Sequence, residues 1–468
     1  MKRWIIRITL GLLAALALCI AVPIAANWRD DPLTPRAARL LAPPAPLVPD
    51  AANAYYVFQG LDAPDDEDAW AVGRRIREAI DRLPGGLETP KVDIAHSATI
   101  CMGTQCGWEK IHCSEQSADC VNFYLGQRAR ARQVMAQQSV LRQRYQQFSQ
   151  LPLYAEPPMR FMAEPLPMYR LLAEAAELRL MDAVFALDNG DTQTGAQVLM
   201  EQIHAHRVML AGSSLLISKM VATGMLHRDY EVLSEAIERW PALAQQAELA
   251  EAWRPLSEPE CSLRTAVESE AGSNARMFHR MLQEQRRLRT LNAMKDDSEG
   301  LLTPFVLPNA TLNIYARWAA EDAEAIVGDA RTVQARRLAH AARREQEWKQ
   351  IAPYASWRFI RNPVGKVLLT MPTLDFFDWA ERLHDLDGHI RLVALQATLR
   401  RDGAPRNQIA DYVQQTGPDL RSPYDGEPMR WDEEHATLSF TGRQKKPDSV
   451  DTTPRVFSVH MLFGEAAR

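Results

Sequence analysis

Four of the six cysteines fall within twenty positions, Cys101, Cys106, Cys113 and Cys120, spaced C-x4-C-x6-C-x6-C. Thiols this crowded can bind a metal, exchange electrons or form disulfides. Structural zinc sites pair their ligands in two separated C-x2-C or C-x4-C knuckles, and here only the first gap fits. The redox motif C-x-x-C and the haem motif C-x-x-C-H are both missing. The N-terminus, described below, is expected to export the chain into an oxidising compartment, so the spacing reads as two disulfides. Such staples hold a loop with too little apolar content to bury a core. Three pairings are open. His112 reads as a solvent-facing loop residue, with metal ligation the alternative. Cys261 is left over, either as a small buried residue or as an intermolecular bridge.

Other chemistry is sparse. The G-x-S-x-G, G-x4-G-K-[ST], H-E-x-x-H and G-x-G-x-x-G signatures are absent. Ser213, Ser214 and Ser218 lie close to Lys219, but Leu216 occupies the position that S-x-x-K requires. Two E-x-x-H pairs, Glu201/His204 and Glu381/His384, match half of a di-iron bundle motif. At about 100° per residue each pair falls opposite its helix's apolar stripe, so both are expected to face water and hold no metal. His206 lies on the stripe of Leu199, Ile203 and Leu210 and reads as a satisfied core histidine. The acidic run "DAPDDEDAW" reads as a solvated turn, with calcium binding the alternative. No catalytic residue, metal site or cofactor is assigned.

One helix pattern, residues 122 to 150, carries five arginines and no acid between Gln127 and Gln147. Arg128, Arg132 and Arg142 share a line opposite the Val134–Phe148 stripe. That face is either solvated or in contact with anionic lipid or an acidic envelope partner.

The elements that must position these groups begin with a membrane signal. Lys2, Arg3 and Arg7 accompany an apolar run from Ile8 to Ala26, flanked by Trp4 and Trp28. This reads as a single-pass inner-membrane anchor through residues 8–26, with the body in the periplasm. Cleavage after Ala26, giving a soluble periplasmic protein, is the alternative. Leu18 is too large for a lipoprotein signal at Cys19. After the anchor segment, 1–28, residues 29–50 carry six prolines and read as an extended spacer. Residues 51–412 form an α-helical body, with the Cys-rich loop at 96–121. In it, "DNGD" (188–191) ends one helix and starts the next, and Phe376, Trp379, Leu383, Leu386, Ile390 and Val393 form a core stripe. Residues 413–468 alternate with period two and form a small β tail. The expected fold is mainly α: stacked helical hairpins, a disulfide-stapled loop and a small C-terminal antiparallel β meander. At 46% hydrophobic and 24% charged the chain is globular, and its net charge of −5 argues against nucleic-acid binding.

"VPDAANAYYVFQGLDAP", "LLISKMVATGM", "NPVGKVLL" and "SPYDGEPMRW" resemble landmarks of a family of exported, membrane-anchored, mainly helical proteobacterial proteins that are uncharacterised. The resemblance implies export and a single architecture, and brings no activity or site residue with it. The function expected is a membrane-tethered envelope protein acting as an interaction or scaffold module in the periplasm. The alternative is a periplasmic enzyme with a dispersed active site.

Overall fold

The computed structural model describes residues 2–45, 48–83, 95–101, 103, 107–113, 119–292, 306–351, 357–370, 375–445 and 454–463. Helix α1 spans Lys2–Ala26, and its stretch Trp4–Ala26 is apolar enough to cross a membrane, with mean hydropathy 2.5 and none of it buried. Its 23 residues rise about 34 Å, the thickness of a bilayer core. Signal sequences share this length and composition.

The proline-rich stretch that follows is not an extended spacer. Thr34 caps α2, Pro35–Leu41, accepting from the Ala37 N–H. Pro35 sits at its first position, where a missing N–H costs nothing. Arg276 then takes the carbonyls of Leu40 and Ala42 at 3.0 and 3.2 Å.

Helices α3 (Ala54–Gln59) and α4 (Ala69–Arg82) cross at backbone contact. A Cβ on Gly73 would lie 1.7 Å from the Tyr56 carbonyl oxygen, so only glycine permits the crossing. The 122–150 pattern is not one helix but three: α5 (Cys120–Gly126), α6 (Arg128–Gln137) and α7 (Ser139–Gln150). The breaks fall at Gln127 and Gln138, so Arg128 and Arg142 lie on different helices.

The hairpins come next: α8 (Tyr169–Asp188), α9 (Thr192–Gly212) and α10 (Leu216–Arg239). The α8–α9 turn needs Gly190 at φ +85°, and Asp191 caps α9 by accepting from the Thr194 N–H at 3.1 Å. Short α11 (Glu258–Cys261) leads into α12 (Arg264–Asn292), α13 (Pro308–Ala325), α14 (Val333–Ile351) and α15 (Pro363–Leu368). Then come α16 (Phe376–Arg401) and α17 (Ile409–Gln414).

Helix α16 is the central post: every residue from Leu383 to Ile390 is buried. This corrects the one-stripe reading. Phe376 and Trp379 are half-buried at its start, while Phe377 and Ala380 are buried. Glu381 and His384 are also buried instead of facing water. A helix with neighbours on several sides has no outer face, so an apolar stripe does not mark where solvent lies.

Three antiparallel strands, β1 (Arg430–Asp432), β2 (Thr437–Lys445) and β3 (Pro454–His460), pair in the order β1-β2-β3, with Trp431 opposite Leu438 and Phe440 opposite Phe457. Leu438, Phe440, Phe457 and Val459 are buried in the same core as the helices, so the tail is continuous with the body. Asp385 of α16 ties it down. Its carboxylate accepts from the Tyr424 hydroxyl at 2.6 Å and from the Arg443 and Gln444 N–H groups, each at 2.8 Å.

Candidate functional site at the foot of helix α1

The last carbonyls of a helix lack partners within it. At α1 they find them in the body. Asn27 Nδ2 donates to Pro23 O at 2.8 Å and to Ile360 O at 2.7 Å, and Arg361 Nη1 donates to Ala26 O at 2.6 Å. Asn27 Oδ1 accepts from the Asn362 N–H at 2.7 Å. Asn362, 2% exposed, takes the left-handed conformation at φ 52°. Its own side chain donates to Thr311 Oγ1 at 2.9 Å and accepts from Leu307 N–H at 2.8 Å. The Asp30 carboxylate accepts from the Asn309 and Ala310 N–H groups, at the positive end of α13. Asn313 accepts from Thr34 N–H and donates to Pro32 O. Residues 30 to 34 are thus zipped onto α13, and Asn27 onto the turn before α15.

Beside this joint, between α2, α13 and α15, lies a cleft of about 590 Å³. Its ionisable lining is Arg36, Arg39, Arg317, Arg361 and Lys366, against the single carboxylate of Asp31. Asp31 is already engaged by Arg361. Arg36 and Arg39 are exposed and have no ion-pair partner among the described residues. Arg317 lies 3.7 Å from Glu347 and 4.0 Å from Glu321. Lys366 Nζ donates to Arg358 O at 2.7 Å, and burial, with Arg361 nearby, lowers its pKa. A second, apolar hollow of about 820 Å³ follows α1 past Ile20, Ile24 and Trp28, and Arg361 lines both.

The residues singled out from sequence lie elsewhere. Arg128 pairs with Asp188 and stacks over the Phe185 ring, while Arg142 Nη2 sits 2.8 Å from both oxygens of Asp182. Arg132 is exposed. The face therefore does have acids, on α8, which an accounting within one helix misses. Cys113 and Cys120 form a disulfide. Cys101 is also disulfide-bonded, and Cys106 lies outside the described residues. Glu177 clamps the loop, accepting from Cys113 N–H at 2.7 Å and Tyr124 Oη at 3.0 Å, and pairing with His112, whose pKa it raises. Cys261 is free, and burial pushes its thiol up.

The acidic run forms a loop around a cation of the protein's own. Arg144 donates to the carbonyls of Leu61, Ala63, Pro64 and Glu67 at 2.6–3.3 Å. His206 is a core histidine, 2.6 Å from Asp229 and 2.8 Å from Tyr145 Oη. Of the E-x-x-H pairs, Glu201 is bonded by Arg179 at 2.9 Å and Glu381 lies 3.6 Å from Arg337.

One further cluster joins Ser214 and Ser218, named from sequence, to Glu156 and Tyr169, which were not. Glu156 reaches the start of α10 and accepts from Ser214 and Leu215 N–H at 3.0 Å and from Ser218 Oγ at 2.6 Å. Tyr169 Oη lies 2.7 Å from Ser218. Burial pushes Glu156 up to about 7 and Lys219 down to about 8. Ser218 is 0% and Lys219 1% exposed, so these groups cap a helix inside the core, beyond reach of a substrate. The "SSLLISK" run was the available signal, but its carboxylate partner lies some sixty residues away.

Comparison with protein-family models, curated proteins and solved structures finds no match for this chain.

Proposed function

We propose that the protein is a membrane-tethered scaffold or interaction module, held by α1 as a single pass in an inner membrane with its body in the periplasm. The resemblance of its landmarks to exported proteobacterial proteins agrees with this. The observation that carries it is the joint between α1 and the body. Asn27 and Arg361 satisfy the carbonyls of α1 itself, so retained α1 sets the tilt of everything after it. A cleaved leader has no use for such bonds. Loop clamps and ion pairs tie the helices of the body together, which suits presentation of a surface above a bilayer. Of the arginines on α6 and α7, Arg130 and Arg132 are exposed and open to a partner, since Arg128 and Arg142 are engaged.

The test is protease shaving of spheroplasts followed by N-terminal sequencing of the membrane fraction. The expected result is digestion of the body from outside, with residues 1–26 retained. A soluble chain beginning at Asn27 overturns the anchor.

A further inference from the structure

We propose that the cleft between α2, α13 and α15 binds the headgroup of an anionic phospholipid whose acyl chains lie along the last turns of α1. This rests on the proposed retention of α1 in the bilayer.

Three observations converge. Five basic side chains line the cleft against one carboxylate, and that carboxylate is spoken for by Arg361. Arg36 and Arg39, side by side on α2, are exposed and unpaired among the described residues. A guanidinium presents its N–H groups as a fork that matches two phosphate oxygens, so such a pair suits a phosphodiester. A zwitterionic headgroup also carries an ammonium, and the described residues lining the cleft offer it no free carboxylate.

Height is the second observation. The apolar stretch of α1 ends at Ala26, and the joint begins at Asn27, so the cleft opens where hydrocarbon gives way to headgroups. Trp28, 78% exposed, stands where interfacial aromatics anchor a span.

The third is continuity. The apolar hollow along Ile20, Ile24 and Trp28 meets the cationic cleft at Arg361. One amphipathic molecule can fill both: phosphate on the arginines, chains on the helix. A free phosphate ion would use only the cleft, and a bulk lipid only the hollow.

Native mass spectrometry of the full chain in neutral detergent tests this, with phosphatidylglycerol and phosphatidylcholine supplied in equal amounts. One retained phosphatidylglycerol per chain is expected, with R36E/R39E lowering its occupancy at least tenfold and R430E, at an exposed position of β1, leaving it unchanged. The double variant should keep its helical circular dichroism, because both side chains project into solvent. Equal retention of the two lipids, or undiminished retention by R36E/R39E, overturns the proposal. So does a bound inorganic phosphate that survives delipidation and excludes the lipid, which would make the cleft an ion site. The same spectrum reports whether residues 1–26 are present, so loss of the anchor is read separately from failure to bind lipid.

Discussion

The backbone N–H of Asn362 donates to Oδ1 of Asn27 at 2.7 Å, although 335 residues separate them. Asn27 is 6% exposed and completes the bonding of both its amide and its carbonyl there. Substituting Asn27→Leu leaves the buried Asn362 N–H and the part-buried Ile360 carbonyl without this partner. Each such group costs about 1–3 kcal/mol. The full chain in detergent should therefore lose thermal stability and be cut faster by protease at residues 29–50, while Asn27→Asp, which keeps the acceptor, should lose less.

Reducing or removing the Cys113–Cys120 bridge frees a short loop, with the two cysteines seven positions apart. Chain entropy puts the loss at about 2.5 kcal/mol. Peptide mapping without reductant should recover this pair crosslinked. Urea unfolding of C113S/C120S should show a lowered midpoint, with the helical signal otherwise retained because Glu177 and Arg228 still hold the loop backbone.

Acid should destabilise the body through its buried histidines. His389 is depressed to about 3 and His384 to about 4, in each case first by burial. Below pH 6.5 the unfolded chain takes up protons that the folded chain refuses. Stability from these groups is thus complete above pH 6.5 and falls as pH drops toward 4, by about 1.4 kcal/mol per pH unit for each histidine. His389 Nδ1 lies 3.1 Å from His227 Nδ1 and stacks with Phe457, so H389Q should flatten the slope of unfolding free energy against pH by about one such increment. Glu156, raised to about 7, works in the opposite sense, its contribution fading as pH climbs from 4.5 to 7.

Charge reversal on the arginine face should separate its members. R142E places a carboxylate against Asp182, and R128E against Asp188, each destabilising on the order of 1 kcal/mol because the pairs are partly exposed. R132E should stay within about 0.5 kcal/mol of the parent. Denaturant melts of the three single variants decide it.

The tail should couple to the helical body through Gly388. A Cβ there would lie 2.3 Å from the Phe440 ring, so G388A overpacks the α16–β2 contact and should cost about 1–3 kcal/mol. Pairing it with F440L should recover part of that loss. Equal melting of G388A and the parent would show that the strands can move off α16.

What the sequence determined by itself was local. The apolar run of α1, the "DNGD" turn between α8 and α9, the periodicity of α8 to α10 and the alternation of β2 and β3 each report on residues a few positions apart, where backbone geometry repeats. The oxidised cysteines belong here too, since crowding in sequence is crowding in space. The tertiary structure alone decided what depends on a distant partner. Asp182 and Asp188 neutralise arginines on other helices, Arg144 fills the acidic loop, α2 docks on α12 and α13, and α16 is surrounded. Hydrophobic period tells a helix which side is greasy. Only packing tells whether the other side meets water, because a second neighbour can cover a polar face by supplying its hydrogen bonds.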